Sequence, residues 1–358
     1  MVVIGHGRLR AFLGEIFVAA GCSAVEAARV ADNLVEANLT GHDSHGVIRT
    51  ARYAYWLTEG TLHPDREVAV VMDAGAMMVL DGRFGMGQTI GPQAVRRGIE
   101  RCAEHGVSVV ALRNSGHLGR IGAWAEMAAA AGLVSMHFVN VAGSVLVAPF
   151  GGVERRMSTN PVTIGVPVAG EAPVILDFAT SSVAEGKVLV AAKGGKALPE
   201  GSLIGPDGVP SNDPWLLYGD SDPAVTPDRR SGPGALRAMG EHKGSGLALM
   251  CELLAGALTG SGCTGPHIPH IHNGMLSVYL SVERLDVERG FAAEIDRYLA
   301  YFKSARPAAG TDEVLVPGEP ERLSRTIRER DGIPLAEDAW KSIADTARRL
   351  GVAVPEPG

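Results

Sequence analysis

Apolar residues recur at helical spacing through the first 65 or so residues, which predicts a helical N-terminal region. Ser23 and Glu26 open the clearest stretch and have the spacing of a capping box, in which each side chain accepts a bond from the other's backbone N–H. The apolar face of this stretch continues until Gly41, where a helix would end. A second helix is predicted from Val47 to Glu59. The residues between the two helices, 41–46, form a polar turn.

Short apolar runs replace the helical pattern in the middle of the chain. Five of them predict β-strands: Val68–Met72, Val107–Leu112, Val134–Val139, Val162–Val166 and Val174–Leu176. Helical runs separate several of these strands, at Pro92–Glu104 and Ala123–Ala131. Alternation of this kind is typical of an α/β domain.

The second half of the chain contains one long irregular segment and two further helices. The segment Pro199–Pro233 is rich in Gly, Pro and Asp, which predicts a surface loop. A strong amphipathic helix is expected at Gly244–Leu258. Pro334 suits the first turn of a last helix, which continues over Ala336–Arg349.

The 358 residues are enough for two domains, because single cores rarely grow past ~250–300 residues. We expect the helical ends to pack together as one discontinuous domain, residues 1–70 and 285–350, around an α/β domain of residues 71–284. The abundance of Gly (46 residues) and the scarcity of aromatics (5%) fit a loop-bearing α/β enzyme.

Charge and composition argue against several kinds of partner. The net charge is −7, and no basic run is interleaved with aromatics, so we do not expect nucleic-acid binding. No apolar run approaches the ~20 residues that a membrane span needs. The N-terminal residues lack the pattern of a signal peptide. The cysteines form no CxxC motif, which predicts buried free thiols and a reducing cytoplasm; they are Cys22, Cys102, Cys251 and Cys263.

A glycine-rich turn, 85–91, follows a β-like run and precedes a helix, as a dinucleotide-binding fingerprint would. It has one residue too many before its third glycine, and the next strand ends in Arg113-Asn114 without the acid that holds a ribose. The favoured interpretation is a tight turn with close helix packing, which glycine permits because it has no Cβ.

Two histidines lie in open, glycine-flanked segments and are candidate acid/base groups. His45 follows Asp43 and Ser44 in the polar turn, and Arg49 comes four residues later, where it could pair with a substrate carboxylate. His117 lies in a polar loop directly after a β-like run, where ligands of α/β proteins gather. The alternatives are a helix-capping His45 and a His117 that only faces solvent.

Two other segments suit phosphate or ribose, and one could suit a metal. Asp177 and the hydroxyls of 180–182 follow an apolar run, although they could equally cap a helix. His242 and Lys243 open the amphipathic helix, whose N-terminus would attract a pyrophosphate. Three further histidines, in 267–272, have zinc-like spacing, but no nearby Asp, Glu or Cys completes a set, so we expect no metal.

Taken in order, eight short motifs resemble the malate/L-lactate dehydrogenase family of the type that lacks a Rossmann fold. They cover about residues 5 to 345 and are Ser44-His45-Gly46, RNSGHLG at 113–119, APFGG at 148–152, Thr159-Asn160-Pro161, DFATS at 177–181, ALPEG at 197–201, HKGSGLALM at 242–250 and VPGEPE at 316–321. The resemblance implies an α/β fold in which a mixed-sheet, non-Rossmann domain binds NAD or NADP, and a helical domain is built from both chain ends. It also implies a homodimer with its active site near the subunit interface.

The resemblance carries roles onto individual residues. His117 looks like the acid/base that protonates a carbonyl oxygen, and His45 occupies the position with that role in some members, so the two compete. Ser44, Arg49 and Tyr53 would hold the substrate carboxylate. The positions that match cofactor contacts are Asn140, Asn160, Asp177, Phe178, Ala179, Thr180, His242, Lys243, Gly318 and Glu319.

Three departures from the family pattern concern the cofactor region. A serine that follows the Asn in many relatives is Val141 here, and Ser144 is the nearest replacement. Ser245 stands where many relatives have Tyr. The loop near 218–240 is longer than usual; its charged residues include Asp220, Asp222, Arg229 and Arg230.

The sequence therefore predicts an oxidoreductase that moves a hydride between NAD(P)H and a small 2-oxo or 2-hydroxy acid. One alternative is a cyclic ketimine reductase of the same family. Others are an inactive binding protein on the same fold and a zinc-dependent hydrolase. The pattern does not identify the substrate or distinguish NAD from NADP. It also does not determine the stereochemistry or the physiological direction of the reaction.

Overall fold

The computed structural model describes residues 1–192, 196–220 and 230–356. The strands are β1 Val2–Ile4, β2 Ala69–Ala74, β3 Met77–Asp81, β4 Val107–Ser115, β5 Leu133–Ala142, β6 Pro161–Val166, β7 Val174–Ala179, β8 Leu203–Ile204, β9 Pro210–Ser211, β10 Ala235–Leu236, β11 His272–Ser281 and β12 Ile333–Leu335. The helices are α1 His6–Ala19, α2 Ala24–Leu39, α3 Thr50–Thr58, α4 Gly87–His105, α5 Gly122–Ala130, α6 Glu185–Ala192, α7 Trp215–Tyr218, α8 His242–Cys251, α9 Val282–Leu285, α10 Phe291–Lys303, α11 Glu319–Asp331 and α12 Glu337–Arg349.

A mixed sheet organises the centre of the chain. Within the described residues it has seven strands in the order β2-β3-β4-β11-β5-β6-β7. Only the β3–β4 pair is parallel; the other pairs in this sheet are antiparallel. The predicted mixed α/β class is confirmed, and each of the five predicted apolar runs lies in or overlaps one of its strands. The central strand, β11, was not among the strands predicted.

Two predicted features differ in the structure. Pro334 does not open a helix: it lies in β12, opposite Val3 of β1 in a two-stranded sheet, where its missing N–H is tolerated because such a strand has an unpaired side. The segment 199–233 is not only a surface loop. Its described part contributes β8, β9 and α7, and it buries Leu203, Leu217 and Tyr218 completely.

The buried apolar residues form several separate cores. One core joins α1–α3 to the far end of the chain through Ile333 and Ile343. A second lies between the central sheet and α4 and α5, and a third surrounds the small sheet β8–β10. Helix α10 buries none of its residues and lies beside the central sheet near Val134. The domain boundary at residue 285 stays a prediction; it assigns α10 to the helical domain, although α10 lies beside the central sheet.

The predicted capping box of α2 is only half formed. Ser23 Oγ accepts the Glu26 N–H at 3.3 Å. The second bond of the box, from the Ser23 N–H to the Glu26 side chain, is absent. The Ser23 N–H donates to Asp65 at 2.9 Å, and the Glu26 side chain accepts the Asp65 N–H. The predicted helix Gly244–Leu258 begins two residues earlier, as α8, and continues as a π-helical turn, Glu252–Leu258. In the part of the chain that is described, no helix has the length and apolar character needed to cross a membrane.

Candidate active site

A polar cavity of about 470 Å³ lies where three segments meet. They are the turn before α3 that carries His45, the loop after β4 that carries His117, and the segment that leads from β7 into α6. A larger groove of about 830 Å³ lies beside α10, but nearly all of its lining side chains are apolar. The chemistry predicted from the sequence therefore gathers in the smaller cavity.

The predicted catalytic and substrate residues meet here, with one difference. Ser44, His45, Arg49 and His117 all line the cavity. The rings of His45 and His117 stack with their centroids 5.6 Å apart and 4° between their planes. Tyr53 is only 1% exposed, and its hydroxyl lies 2.6 Å from His117 Nδ1. In this arrangement Tyr53 contacts the histidine, and its contact with a substrate carboxylate stays a prediction.

The turn that carries His45 is held from two sides. The Asn38 side chain of α2 accepts the Val47 N–H at 2.7 Å and donates to the Asp43 carboxylate at 2.5 Å. Arg328 of α11 binds both oxygens of Asp43, at 2.5 and 3.0 Å. A Cβ on Gly46 would lie 2.1 Å from Asn38 Oδ1, so this close approach requires glycine.

The loop that carries His117 is fixed by the central strand and by α4. Asn273 of β11 accepts the Leu118 N–H at 2.8 Å and donates to the Asn140 carbonyl at 2.8 Å. A Cβ on Gly87, at the start of α4, would lie 2.1 Å from the His117 carbonyl oxygen. The glycine-rich turn is thus a packing element that brings α4 against the His117 loop, in agreement with the favoured interpretation of the sequence.

Arginines and one buried carboxylate give the cavity its charge. Arg49 Nε donates to the Ser44 carbonyl at 2.6 Å, and its terminal nitrogen lies 3.8 Å from Glu185. Arg230 and the Tyr218 hydroxyl donate to the other Glu185 oxygen, at 2.5 and 2.9 Å. Burial alone would raise the pKa of Glu185, but the surrounding arginines, Arg230 foremost, hold it well below its usual range. Glu185 is therefore ionised and anchors the arginines.

Both cavity histidines are held neutral. Burial lowers the pKa of His45 to about 3, and the positive charge of Arg49 adds to the shift. Burial, followed by the charges of Arg49 and His45, also holds the pKa of His117 well below 6.5. At neutral pH each ring carries a single proton, and its second nitrogen is free to accept a hydrogen bond.

Part of the predicted cofactor set lies in the cavity wall. Asp177, Phe178 and Ala179 line it at the end of β7. The Asp177 carboxylate accepts the Gly122 N–H at 2.8 Å and the Thr163 hydroxyl at 2.6 Å, so it also ties β6 to α5.

Three predicted cofactor residues lie behind the wall. Asn140 and Asn160 are fully buried, and their side-chain amides donate to Glu252 at 3.2 and 2.9 Å. The hydroxyl of Thr180, also fully buried, donates to the Asn160 carbonyl at 2.9 Å. These contacts join β5 and β6 to the π-helical turn that starts at Glu252. The geometry makes this group a support for the wall.

The remaining four predicted cofactor residues are not brought to His117. His242 and Lys243 are exposed at the start of α8, outside the cavity lining, where the His242 ring packs edge-on against Phe150. Gly318 lines a separate cavity of about 310 Å³. Glu319 accepts the Val316 N–H and pairs with Lys303 at the start of α11.

The histidine-rich segment 267–272 has other contacts. His270 and His272 pack edge-on against Phe84, with centroids 5.0 and 5.4 Å away. His272 Nε2 also lies 3.0 Å from the Ser261 carbonyl oxygen. Across the described residues, no group of three His, Cys, Asp or Glu side chains is arranged to hold a metal ion.

The structure adds residues that sequence reasoning missed. Glu185, Gln88 and Asn273 were not singled out; each acts through partners far away in the sequence, although Glu185 could have been noticed as a charge among small and apolar neighbours. Of the residues that depart from the family pattern, Ser144 and Arg230 line the cavity. Ser245 does not; its Oγ accepts the Phe150 N–H. Asp222 and Arg229 lie outside the described residues.

Known proteins resemble this chain over nearly its whole length. The family described as malate/L-lactate dehydrogenase matches residues 4–344. Hydroxycarboxylate dehydrogenase B of Escherichia coli (strain K12) is 38% identical over 349 residues, covering 96% of this chain and 93% of that protein. An L-lactate dehydrogenase of Cupriavidus necator is 38% identical over 332 residues, 91% of each chain. A solved Escherichia coli structure, provisionally described as a malate/lactate dehydrogenase, is 38% identical with a TM-score of 0.90, covering 99% of this chain and 96% of that one. The chain belongs to the malate/L-lactate dehydrogenase family.

Proposed function

We propose that this protein is a nicotinamide-dependent dehydrogenase that interconverts a small 2-oxo acid and the matching 2-hydroxy acid. The observation that carries the proposal is the presence of Arg49 and His117 in one cavity, a carboxylate-binding group beside an acid/base group. The names of the relatives support the same reaction class, because both are dehydrogenases of hydroxy acids.

The substrate would lie with its carboxylate on Arg49 and its reacting oxygen near His117. Arg49 is oriented at the cavity wall by its bond to the Ser44 carbonyl and by Glu185, which lies 3.8 Å from one of its terminal nitrogens. A guanidinium held this way binds a carboxylate through paired, charge-assisted bonds. His45 stacks on His117 and would complete the wall around the reacting carbon. We assign the acid/base role to His117, because Tyr53 occupies its Nδ1 and leaves Nε2 for the ligand.

The cavity fits the nicotinamide half of a cofactor. Its volume of about 470 Å³ lies within the ~300–1,000 Å³ that is usual for ligand sites. Ser158 belongs to the lining, and its buried Oγ has no hydrogen-bond partner among the described residues. Phe178 and Ala179 would flank the ring, with Asp177 behind them. The cofactor supplies or accepts the hydride at the substrate carbon.

The other predicted cofactor residues would act at a distance from the chemistry. We propose that Asn140, Asn160 and Thr180 support the cavity wall. The exposed start of α8, with His242 and Lys243, would meet the phosphates. Gly318 and Glu319 lie beside another cavity, so their predicted contact would need a different part of the cofactor or a neighbouring subunit. The choice between NAD and NADP stays open.

We also propose a homodimer and a cytoplasmic location. Helix α10 buries none of its residues, and Tyr298, Tyr301 and Phe302 are exposed on it beside the apolar groove, which is a surface that a second subunit would cover. The four cysteines are free, as in reducing compartments. Sedimentation of the purified protein and fractionation of cells test these two points.

The reaction is tested by following NADH and NADPH oxidation with a panel of 2-oxo acids. The panel should include pyruvate, oxaloacetate, branched 2-oxo acids and cyclic imine carboxylates, with product chirality measured for each hit. Turnover of an oxo acid supports the proposal; turnover of imines alone would favour the ketimine reductase. If neither nicotinamide binds, the chain has kept the fold and lost the chemistry.

A further inference from the structure

Three side chains form a hydrogen-bonded row behind the cavity. The Gln88 amide nitrogen lies 3.2 Å from the His117 carbonyl oxygen and 3.3 Å from the Tyr53 hydroxyl. The Tyr53 hydroxyl in turn lies 2.6 Å from His117 Nδ1. Tyr53 and Gln88 are both buried, so water does not compete for these bonds.

The row has a single consistent direction. A carbonyl oxygen can only accept, so the Gln88 atom facing it must be the NH₂ group. Its second hydrogen then points to the Tyr53 oxygen, which accepts. The remaining partner of the Tyr53 hydroxyl is His117 Nδ1, and the hydroxyl therefore donates to that nitrogen. A neutral His117 whose Nδ1 accepts must carry its proton on Nε2.

We propose that Tyr53 is a positioning residue for His117: aligned by Gln88, it fixes the Nε2–H tautomer, aims that N–H into the cavity, and resupplies the proton that His117 gives to the substrate oxygen. The inference rests on the proposed function for its chemistry, although the tautomer itself is a property of the protein alone.

The proton movements balance without a charged imidazole. As negative charge develops on the substrate oxygen, the Nε2–H bond breaks and an O–H bond forms on the substrate. In the same event the Tyr53 O–H bond breaks and an Nδ1–H bond forms, so His117 stays neutral and changes tautomer. Tyr53 is left as a phenolate that accepts the Gln88 N–H. After product leaves, water in the cavity protonates His117 Nε2, and the Nδ1 proton returns to the Tyr53 oxygen. The reverse sequence serves hydroxy-acid oxidation.

The surroundings of the row disfavour a charged His117. Burial, followed by the positive charges of Arg49 and Arg52, lowers its pKa, and the Glu185 carboxylate opposes that shift. The same Arg49 and Arg52, together with the Gln88 bond, stabilise a phenolate at Tyr53, although burial outweighs them and raises its pKa to about 12. The surroundings therefore disfavour imidazolium, while Arg49, Arg52 and the Gln88 bond offset part of the cost of a buried phenolate at Tyr53.

The test reads the tautomer directly, in protein labelled with ¹⁵N-histidine and free of cofactor. Two-bond ¹⁵N–¹H correlations distinguish the two neutral tautomers, and His117→Gln identifies the signal. We expect the Nε2–H form in the wild type and a mixture in Tyr53→Phe. Tyr279→Phe is the matched control, because Tyr279 is buried beside His137 in the core of the sheet, away from the cavity.

Kinetics supply the second readout. In Tyr53→Phe, kcat for reduction should fall ~10- to 100-fold, because His117 loses the bond that fixes its tautomer and the donor that resupplies its proton, while KM and the cofactor Kd change less than ~2-fold. Gln88→Met, which removes the donor but keeps the bulk, should loosen the tautomer and lower kcat less; it replaces Tyr53→Phe if that variant does not fold.

The outcomes separate the two proposals. A wild-type Nδ1–H signal, or an unchanged tautomer and kcat in a folded Tyr53→Phe, would overturn the role of Tyr53. The expected tautomer in a protein that turns over no acid with either nicotinamide would support the positioning and refute the proposed function.

Discussion

His117 and His137 are both held neutral by burial, yet their surroundings differ in the feature that matters for chemistry. His137 lies in β5, fully buried, with Nδ1 2.8 Å from the Ser277 hydroxyl and Nε2 3.1 Å from the Ser135 hydroxyl. Burial alone lowers its pKa to about 3. His117 has a protein partner on Nδ1, and its ring lines a cavity with arginines nearby. A histidine whose two nitrogens are both satisfied holds structure; one with an uncommitted nitrogen can act on a ligand.

The largest expected effect separates the two histidines by activity. His117→Gln should lower kcat by ~10²- to 10⁴-fold, the usual contribution of a general acid, with little change in cofactor binding. His137→Gln should leave kcat within ~3-fold, less than ~1 kcal/mol in the barrier. Steady-state kinetics of both variants measure the contrast. If His117→Gln keeps the wild-type rate, the assignment passes to His45.

Arg49→Gln sharpens the comparison from the ligand's side, because Arg49 acts on His117, whereas burial accounts for the lowered pKa of His137. Losing a charge-assisted contact should raise KM for the acid ~10- to 100-fold, and Arg49→Lys should restore part of it. The matched control is Arg101→Gln, which removes a guanidinium paired with Asp73 and Glu104 on the surface. Equal KM values in Arg49→Gln and the control would remove Arg49 from the carboxylate site.

His137→Gln should instead cost stability. Two buried serine hydroxyls lose the geometry of their bonds, which predicts a loss of ~1–3 kcal/mol in the free energy of unfolding. Urea denaturation of this variant and of Tyr279→Phe, its neighbour in the core, measures the loss. A His137→Gln protein as stable as the wild type would mean that the serines find other partners.

The smallest effect is a change in how stability depends on pH. A histidine with a pKa near 6.5 when unfolded and about 3 when folded binds its proton more readily in the unfolded chain. Its contribution is complete above pH 6.5 and is lost as the pH falls toward 3. The slope is about 1.4 kcal/mol per pH unit for each such group. His137→Gln should therefore show a shallower decline between pH 6 and 5, by one proton; an unchanged slope would contradict the lowered pKa of His137.

The sequence predicted β2 and β4–β7 of the central sheet from their apolar runs, and it missed β3 and β11. β11 contains Asn273, Gly274 and Ser277, which break the hydrophobic pattern. Each has a partner that only the folded sheet reveals: Asn273 bonds the Asn140 carbonyl, Ser277 bonds His137, and a Cβ on Gly274 would strike the Ala255 carbonyl. A strand buried on both faces loses its alternation, so local pattern could not identify it.

The candidate site divides in the same way. The local sequence was enough to predict His45, Arg49 and His117, because glycine-flanked polar turns are recognisable from neighbouring residues alone. The Gln88–Tyr53 bond and the contacts of Glu185 join distant segments of the chain, and the one local signal is the charge of Glu185 among small and apolar neighbours. The phosphate role of α8 stays a prediction: Lys243 has the right local chemistry, and it lies outside the cavity that holds His117.

The position of β11 has a consequence for how the protein is made. This strand pairs with β4 on one side and β5 on the other, so the two halves of the central sheet touch only through a segment that ends at Ser281. β12, which pairs with β1, comes later still. During synthesis the earlier strands must therefore wait, with unpaired edges, until most of the chain has left the ribosome. We expect nascent chains shorter than about residue 281 to depend on chaperones and to aggregate when released early.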